Sequence, residues 1–249
     1  MRFKVWRSGK GGKDGKYATY EVQPSSGMSV LDALFAIQEK YDDSLAFRYS
    51  CRGAVCGSCA ITINREPRLA CRTQVLGLET KKPIGLRPFE GLEKETDWDR
   101  SSEILIQPLP NMPILKDLIV DMDRFYEHYM KVKPWMETLE DAKSYSHMTP
   151  LEVGKVEKYA NCILCACCFG ACPVCEKNTQ YHGPAALSWS LRFVDDSRVM
   201  NKKERLSLVE QDDGVPGCEF IYNCVKVCPK NVAPAGAIRI LKDYMEKAF

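Results

Sequence analysis

The sequence predicts an α+β chain in two parts, strand-rich first and helical second. Three observations carry that expectation. Apolar and polar residues alternate in RFKVW and YATYEVQ near the N-terminus, which is the period of a half-buried strand. The stretch PLPNMP at 108–113 punctuates the chain. Beyond it, apolar residues recur at helical spacing.

The elements follow in order. GKGGKDGK is a turn that joins the first two strands into a hairpin. Ser29 caps VLDALFAIQEKY, whose Val30, Leu31, Leu34 and Ile37 repeat at helical spacing. CAITI and LACRT read as strands flanking a turn, NREPR, and EILIQPLP reads as a closing strand. Hairpin, helix, hairpin and return strand make a β-grasp domain over 1–105. The rest, 106–249, reads as all helix. ILKDLIVDMDRFYEHYMKV is expected to be one helix, with Leu115, Leu118, Ile119, Met122, Tyr126 and Tyr129 on one face and Pro134 ending it. Thr149, Pro150 and Glu152 form a capping-box start for a helix leading into Cys162. Gly183-Pro184 opens AALSWSLRFV, and Pro234 opens AGAIRILKDYMEKAF.

The chain has 249 residues and a formal net charge of +2, with no basic stripe of the kind a nucleic-acid binder carries. It contains no run of about 18 apolar residues, the length that spans a bilayer. MRFKVWRSGKGG lacks the apolar centre of a signal peptide, so a reducing cytoplasm is expected. There, clustered cysteines favour metal over disulfides. Thirteen cysteines, an odd number, would also leave a thiol over in a pure disulfide framework.

The cysteines fall into three groups, at 51–71, 162–175 and 218–228. In the first, Cys51, Cys56 and Cys59 are spaced C-x4-C-x2-C, and Cys71 lies on the next strand. The plant-type 2Fe–2S signature opens the same way. A loop that wraps two irons needs backbone freedom, which Gly53 and Gly57 supply. A structural zinc site is the alternative, but zinc ribbons pair two C-x2-C knuckles and the C-x4-C opening fits them poorly. Arg48, Arg52, Arg65, Arg68 and Arg72 crowd the same stretch. They are either cations that raise a cluster's potential or ordinary surface arginines.

Cys162, Cys165, Cys168 and Cys172, followed by Pro173, spell the bacterial ferredoxin run C-x2-C-x2-C-x3-C-P. In that pattern the fourth cysteine crosses to a second cluster, so a partner run is required. CEFIYNCVKVCP supplies Cys218, Cys224 and Cys228, with Ile221 falling at the second cysteine position. Cys162, Cys165, Cys168 and Cys228 then hold a 4Fe–4S cluster. Cys172, Cys218 and Cys224 are left for the other. A corner facing Ile221 has no thiolate for its iron, which gives a 3Fe–4S cluster. Two zinc sites or unpaired core cysteines are the alternatives. Cys167 reads as a buried structural thiol, and Cys175 as packing or as a neighbour of the three-iron cluster. Three clusters make a path for electrons, and their ties replace core, so the apo-protein is expected to be poorly folded.

SCRGAVCGSCAITIN, PLPNMPILKDLIVDMDRFY, CILCACC, GPAAL with RFVDDSR, and NCVKVCPK together resemble the iron–sulfur subunit of succinate:quinone oxidoreductases. That family comprises succinate dehydrogenase and fumarate reductase, and the resemblance covers nearly the whole chain. It implies a plant-type ferredoxin domain over 1–105 and an alpha-helical ferredoxin domain over 106–249. It implies a flavoprotein partner with covalent FAD, and membrane-anchor subunits, often with haem b, that help bind a quinone. Electrons would pass through the 2Fe–2S, 4Fe–4S and 3Fe–4S clusters in turn, at the cytoplasmic face of a prokaryotic inner membrane. The chain itself performs no chemistry on the dicarboxylate. Some members carry Asp at the third ligand position of the first cluster; here it is Cys59. Family members bring the segment after the first C-P, and the residue after the cysteine matching Cys218, close to the quinone. Those positions are Pro173, Lys177 and Glu219. Ubiquinone-reactive members carry Trp near Lys177 and His at Glu219, so the residues here favour another quinone, such as menaquinone. His182 reads as an exposed histidine at the start of a helix. A soluble multi-cluster ferredoxin is the alternative function, and a zinc-dependent interaction module a third.

Overall fold

The computed structural model describes residues 1–78, 80–94, 96–137 and 147–248. Strand β1 (Arg2–Arg7) pairs antiparallel with β2 (Lys16–Glu21) and parallel with β5 (Glu103–Gln107). Helix α1 (Val30–Lys40) lies between them in sequence. A second hairpin, β3 (Ala60–Ile63) and β4 (Glu66–Leu69), completes a five-stranded sheet of order β2-β1-β5-β3-β4. Ser29 caps α1 through a full capping box: its hydroxyl accepts from the Asp32 N–H at 3.2 Å, and Asp32 Oδ2 accepts from the Ser29 N–H at 2.9 Å. The apolar face of α1 meets alternate residues of the sheet. Leu31, Leu34 and Ile37 join Phe3, Val5, Ile63, Ile104 and Ile106 in one core. Each such side chain contributes about 1.5–3 kcal/mol when fully buried.

The first correction concerns the second hairpin. The turn NREPR shrinks to Asn64 and Arg65, both at positive φ, and Ile63 pairs with Glu66. Two such residues suit the twist of a tight hairpin. Pro67 is thereby a strand residue, tolerated because β4 is an edge strand. Of LACRT only Leu69 is strand, as the last residue of β4, since Ala70–Arg72 form a 3-10 turn.

The second correction concerns 114–131. The long helix is instead a small hairpin, β6 (Ile114–Lys116) and β7 (Ile119–Val120), followed by a shorter α2 (Asp123–Lys131). Asp117 breaks the helix. It sits at φ 48°, and its buried carboxylate accepts from the N–H groups of Ser8 and Ala46, each at 2.8 Å, and from Arg7 Nε at 3.1 Å. Three long-range hydrogen bonds to one carboxylate outweigh a helical period.

The remaining elements are α3 (Pro150–Ala160), α4 (Cys167–Gly170), α5 (Pro173–Lys177), α6 (Gly183–Val194), α7 (Lys202–Ser207), α8 (Asn223–Lys226) and α9 (Pro234–Ala248). Thr149 caps α3 with the expected box to Glu152. The chain divides into two compact units. One is Met1–Met122 with Ile163–Ala171, and the other is Asp123–Cys162 with Cys172–Phe249. In the first, α4 packs on β4. In the second, α6 is buried on nearly every side, and α2, α3, α7 and α9 surround it. Arg205 is fully buried there, donating to the carbonyls of Lys133 at 2.8 Å and Trp135 at 2.7 Å. His182 is not exposed: it is buried, with its ring stacked 5.9 Å from that of His128. Among the described residues no helix is long and apolar enough to cross a membrane.

Candidate metal centres

The loop carrying Cys51, Cys56 and Cys59 runs directly into β3, and Cys71 lies in the 3-10 turn after β4. Arg52, Ala54 and Gly57 take φ of 53°, 57° and 74°. Left-handed backbone costs a non-glycine residue about 1–2 kcal/mol, so two such residues in one loop mark an imposed shape. The shape turns N–H groups onto sulfur. Those of Gly53, Val55 and Cys56 donate to Cys51 Sγ at 3.4, 3.3 and 3.3 Å, and that of Cys51 donates to Cys56 Sγ at 3.5 Å. Such a cup of backbone dipoles suits an anion. The Ser58 hydroxyl and the Cys51 N–H hold the Cys56 thiol down at about 6. Burial pushes the Cys59 thiol up to about 12.

The arginines divide. Arg65 lies over the Trp98 ring at 5.6 Å and Arg68 Nε pairs with Glu66 at 2.8 Å, so both have other work. Arg52 stays beside the loop, over Phe35 at 4.8 Å and Tyr49 at 5.6 Å.

Gly57 also brings the first loop against the second cysteine run. A Cβ there would stand 2.8 Å from the Ile163 carbonyl oxygen and 2.9 Å from Cys165 Cα. The two segments therefore touch backbone to backbone, within one compact unit.

The two later runs share a backbone. Leu164 and Ala166 have φ of 51° and 61°; Phe220 and Tyr222 have φ of 50° and 65°. A short helix follows each pair, α4 after Ala166 and α8 after Tyr222. Matched residue for residue, Cys162 corresponds to Cys218, Cys168 to Cys224, Cys172 to Cys228, and Cys165 to Ile221.

Their sulfurs also collect donors. Cys165 accepts first from the Cys167 thiol and then from the Cys167 N–H, which lowers its pKa. Cys172 is held down in the same way by the Cys175 thiol and by the N–H groups of Cys175 and Val174. Cys228 Sγ accepts from the Val232 N–H at 3.3 Å. Cys167 and Cys175, which the spacing leaves over, are thus hydrogen-bond donors to neighbouring cysteines. Only the short offset of two or three residues from Cys165 and Cys172 hints at this in the sequence.

Cys172, Cys218 and Cys224 line one small cavity of about 20 Å³, partly open to solvent, together with Tyr181 and Ile221. Burial pushes the Cys224 thiol up to about 12 and raises that of Cys218. Among the described residues no three His, Cys, Asp or Glu side chains converge closely enough to share a single ion. Pro173 and Glu219 belong to the same cavity wall, whereas Lys177 is exposed at the end of α5 and does not line it. A cup of N–H groups at the first loop, and a cavity walled by three donor-ringed sulfurs at the second site, fit iron–sulfur clusters.

Comparison with known proteins agrees. Residues 2–127 match the family described as a 2Fe-2S iron-sulfur cluster binding domain, and residues 158–232 match the 4Fe-4S dicluster domain. The succinate dehydrogenase iron-sulfur subunit of Coxiella burnetii is 38% identical over 90% of this chain and 87% of its own. The fumarate reductase iron-sulfur subunit of Haemophilus influenzae is 36% identical over 92% of this chain and 88% of its own. A solved chain of the Mycobacterium smegmatis Sdh1 complex in the apo form shares the fold, with a TM-score of 0.80 at 22% identity. That match covers 100% of this chain and 96% of the other. The chain belongs to the iron–sulfur subunits of succinate dehydrogenase and fumarate reductase, and it is an electron-transfer subunit of that oxidoreductase with 2Fe–2S, 4Fe–4S and 3Fe–4S clusters as its cofactors.

Proposed function

We propose that Cys51, Cys56, Cys59 and Cys71 hold the 2Fe–2S cluster, Cys162, Cys165, Cys168 and Cys228 the 4Fe–4S cluster, and Cys172, Cys218 and Cys224 the 3Fe–4S cluster. When bound, the clusters supply one-electron redox centres. One observation carries the assignment: the two runs repeat the same left-handed pair and short helix, with Ile221 where the first run has Cys165. The protein's part is to hold thiolates as anions, through backbone N–H groups, and to withhold a fourth ligand at Ile221.

The chain relays electrons between the FAD of a flavoprotein subunit and a membrane quinone. It is attached at the cytoplasmic face of the membrane by anchor subunits that hold haem b. Pro173 and Glu219, on the wall of the Cys172 cavity, together with Lys177, form this chain's side of the quinone site. The lack of Trp and His at Lys177 and Glu219 supports menaquinone.

Iron analysis and EPR of the anaerobically purified complex test the assignment. About nine irons per chain are expected, with an EPR signal in the oxidised state, since three ferric ions carry an odd electron count. Zinc, or a silent oxidised spectrum from fully loaded protein, refutes it. Turnover of the same complex should be faster with a menaquinone analogue than with a ubiquinone analogue.

A further inference from the structure

Tyr181 is 1% exposed and lies in the wall of the cavity formed by Cys172, Cys218 and Cys224. Its ring is seated against Gly217, where a Cβ would come within 3.1 Å of Tyr181 Cδ2. A Cβ at 217 would meet the Asp212 carbonyl oxygen at 2.5 Å and also crowd the ring, so the glycine next to Cys218 serves both neighbours. The phenol then reaches sulfur: Tyr181 Oη donates a hydrogen bond to Cys218 Sγ. Backbone N–H groups account for most other donors to these sulfurs, but a tyrosine hydroxyl is a choice made by sequence. A side-chain donor can be tuned or removed without altering the fold.

We infer that Tyr181 is a positioning residue that raises the reduction potential of the centre held by Cys172, Cys218 and Cys224, by hydrogen-bonding the Cys218 sulfur from inside the cavity wall. The inference rests on the ligand set proposed above. Reduction adds negative charge to the centre, and part of that charge resides on the ligand sulfurs. A fixed donor stabilises the more negative state more than the less negative one, so the potential goes up. The effect is local, because one hydrogen bond to one sulfur does not reach the other two ligand sets.

Tyr181→Phe removes the hydroxyl and keeps the ring against Gly217. In the intact complex, redox titration followed by EPR should show the three-iron midpoint fall while the 2Fe–2S and 4Fe–4S midpoints stay where they are. A second variant guards against a Phe form that fails to assemble. Site-specific 3-fluorotyrosine at 181 preserves the shape and makes the hydroxyl a stronger donor, so the same midpoint should rise. An unmoved three-iron midpoint in either variant, or three midpoints moving together, overturns the inference while leaving the ligand assignment intact. Wild-type complex without the three-iron signal overturns both.

Discussion

Ile221 occupies the place that Cys165 fills in the matched run, on the wall of a cavity whose cysteines number three. An alkyl side chain offers iron no lone pair. Replacing it supplies the missing donor. Ile221→Cys is expected to admit a fourth iron, abolish the oxidised-state EPR signal and lower the centre's potential, because the cluster type changes from three irons to four. Unchanged iron content would mean that the two runs do not align. Asp196 shows a second single-residue dependence. Its carboxylate is fully buried and accepts from Arg192 and Arg198 at 2.8 Å each. Burial alone would raise its pKa, but the Arg198 hydrogen bonds, with help from Arg192, hold it below the ordinary carboxylate value. Its contribution is therefore complete above about pH 4 and is lost as pH falls through the depressed value. Asp196→Asn should cost about 3 kcal/mol, the low end for a broken buried pair, because both arginines keep some access to water. Denaturant titration at neutral pH measures that cost. The gap between wild type and variant should narrow as the buffer is acidified below pH 4; a gap that stays constant would show that the carboxylate's charge is not what matters.

At the scale of elements, the contact between the first cysteine loop and the segment around Cys165 depends on one missing side chain. Gly57→Ala should prevent it, since the methyl group would meet the Ile163 carbonyl and Cys165 at 2.8–2.9 Å. Gly27→Ala is the control, as it has a similar φ of 78° but nothing within 4 Å. Both substitutions carry the left-handed penalty of about 1–2 kcal/mol. Only Gly57→Ala is expected to deplete the 2Fe–2S and 4Fe–4S absorption together, and equal losses from both would remove the case for close approach. Elements with a local signal were legible in the sequence. The cap at Ser29, the capping box at Thr149, the alternation in β1 and β2, and the apolar run of β5 needed no tertiary information. The hairpin at 114–120 is hidden in the sequence because Leu115, Leu118, Ile119 and Met122 happen to fall at helical spacing. The deciding partners of Asp117 are Ser8 and Ala46, far away in sequence. Asn111 at φ 66° and the β-branched Ile114, Ile119 and Val120 were the available counter-signal. Cysteine spacing disclosed the two ferredoxin-like runs, but the thiol donors Cys167 and Cys175 and the buried His182 depend on packing that spacing does not encode.

Across the whole molecule, stability is distributed unevenly, and the sequence expectation of a poorly folded apo-protein becomes more specific. The sheet and α1 share a core of fully buried side chains, and α6 is enclosed by four other helices. Cys59 belongs to the first core, with Cys71 and Cys165 against it, but both arrangements are built mainly from other side chains. The cysteine-bearing segments differ. Helices α4, α5 and α8 have four, five and four residues, far below the roughly 12 at which an isolated helix becomes even marginal in water. Leu164, Ala166, Phe220 and Tyr222 add left-handed strain at about 1–2 kcal/mol each. Bonds from cysteine to iron must offset that, as in small domains that fold only with metal. Removing iron anaerobically should therefore unfold 162–178 and 218–233 first. Hydrogen exchange should show those amides losing protection while β1, β5 and the centre of α6 retain it. Uniform loss along the chain would mean that neither core stands without iron, and unchanged protection at 218–233 would mean that the short helices are held by something other than metal.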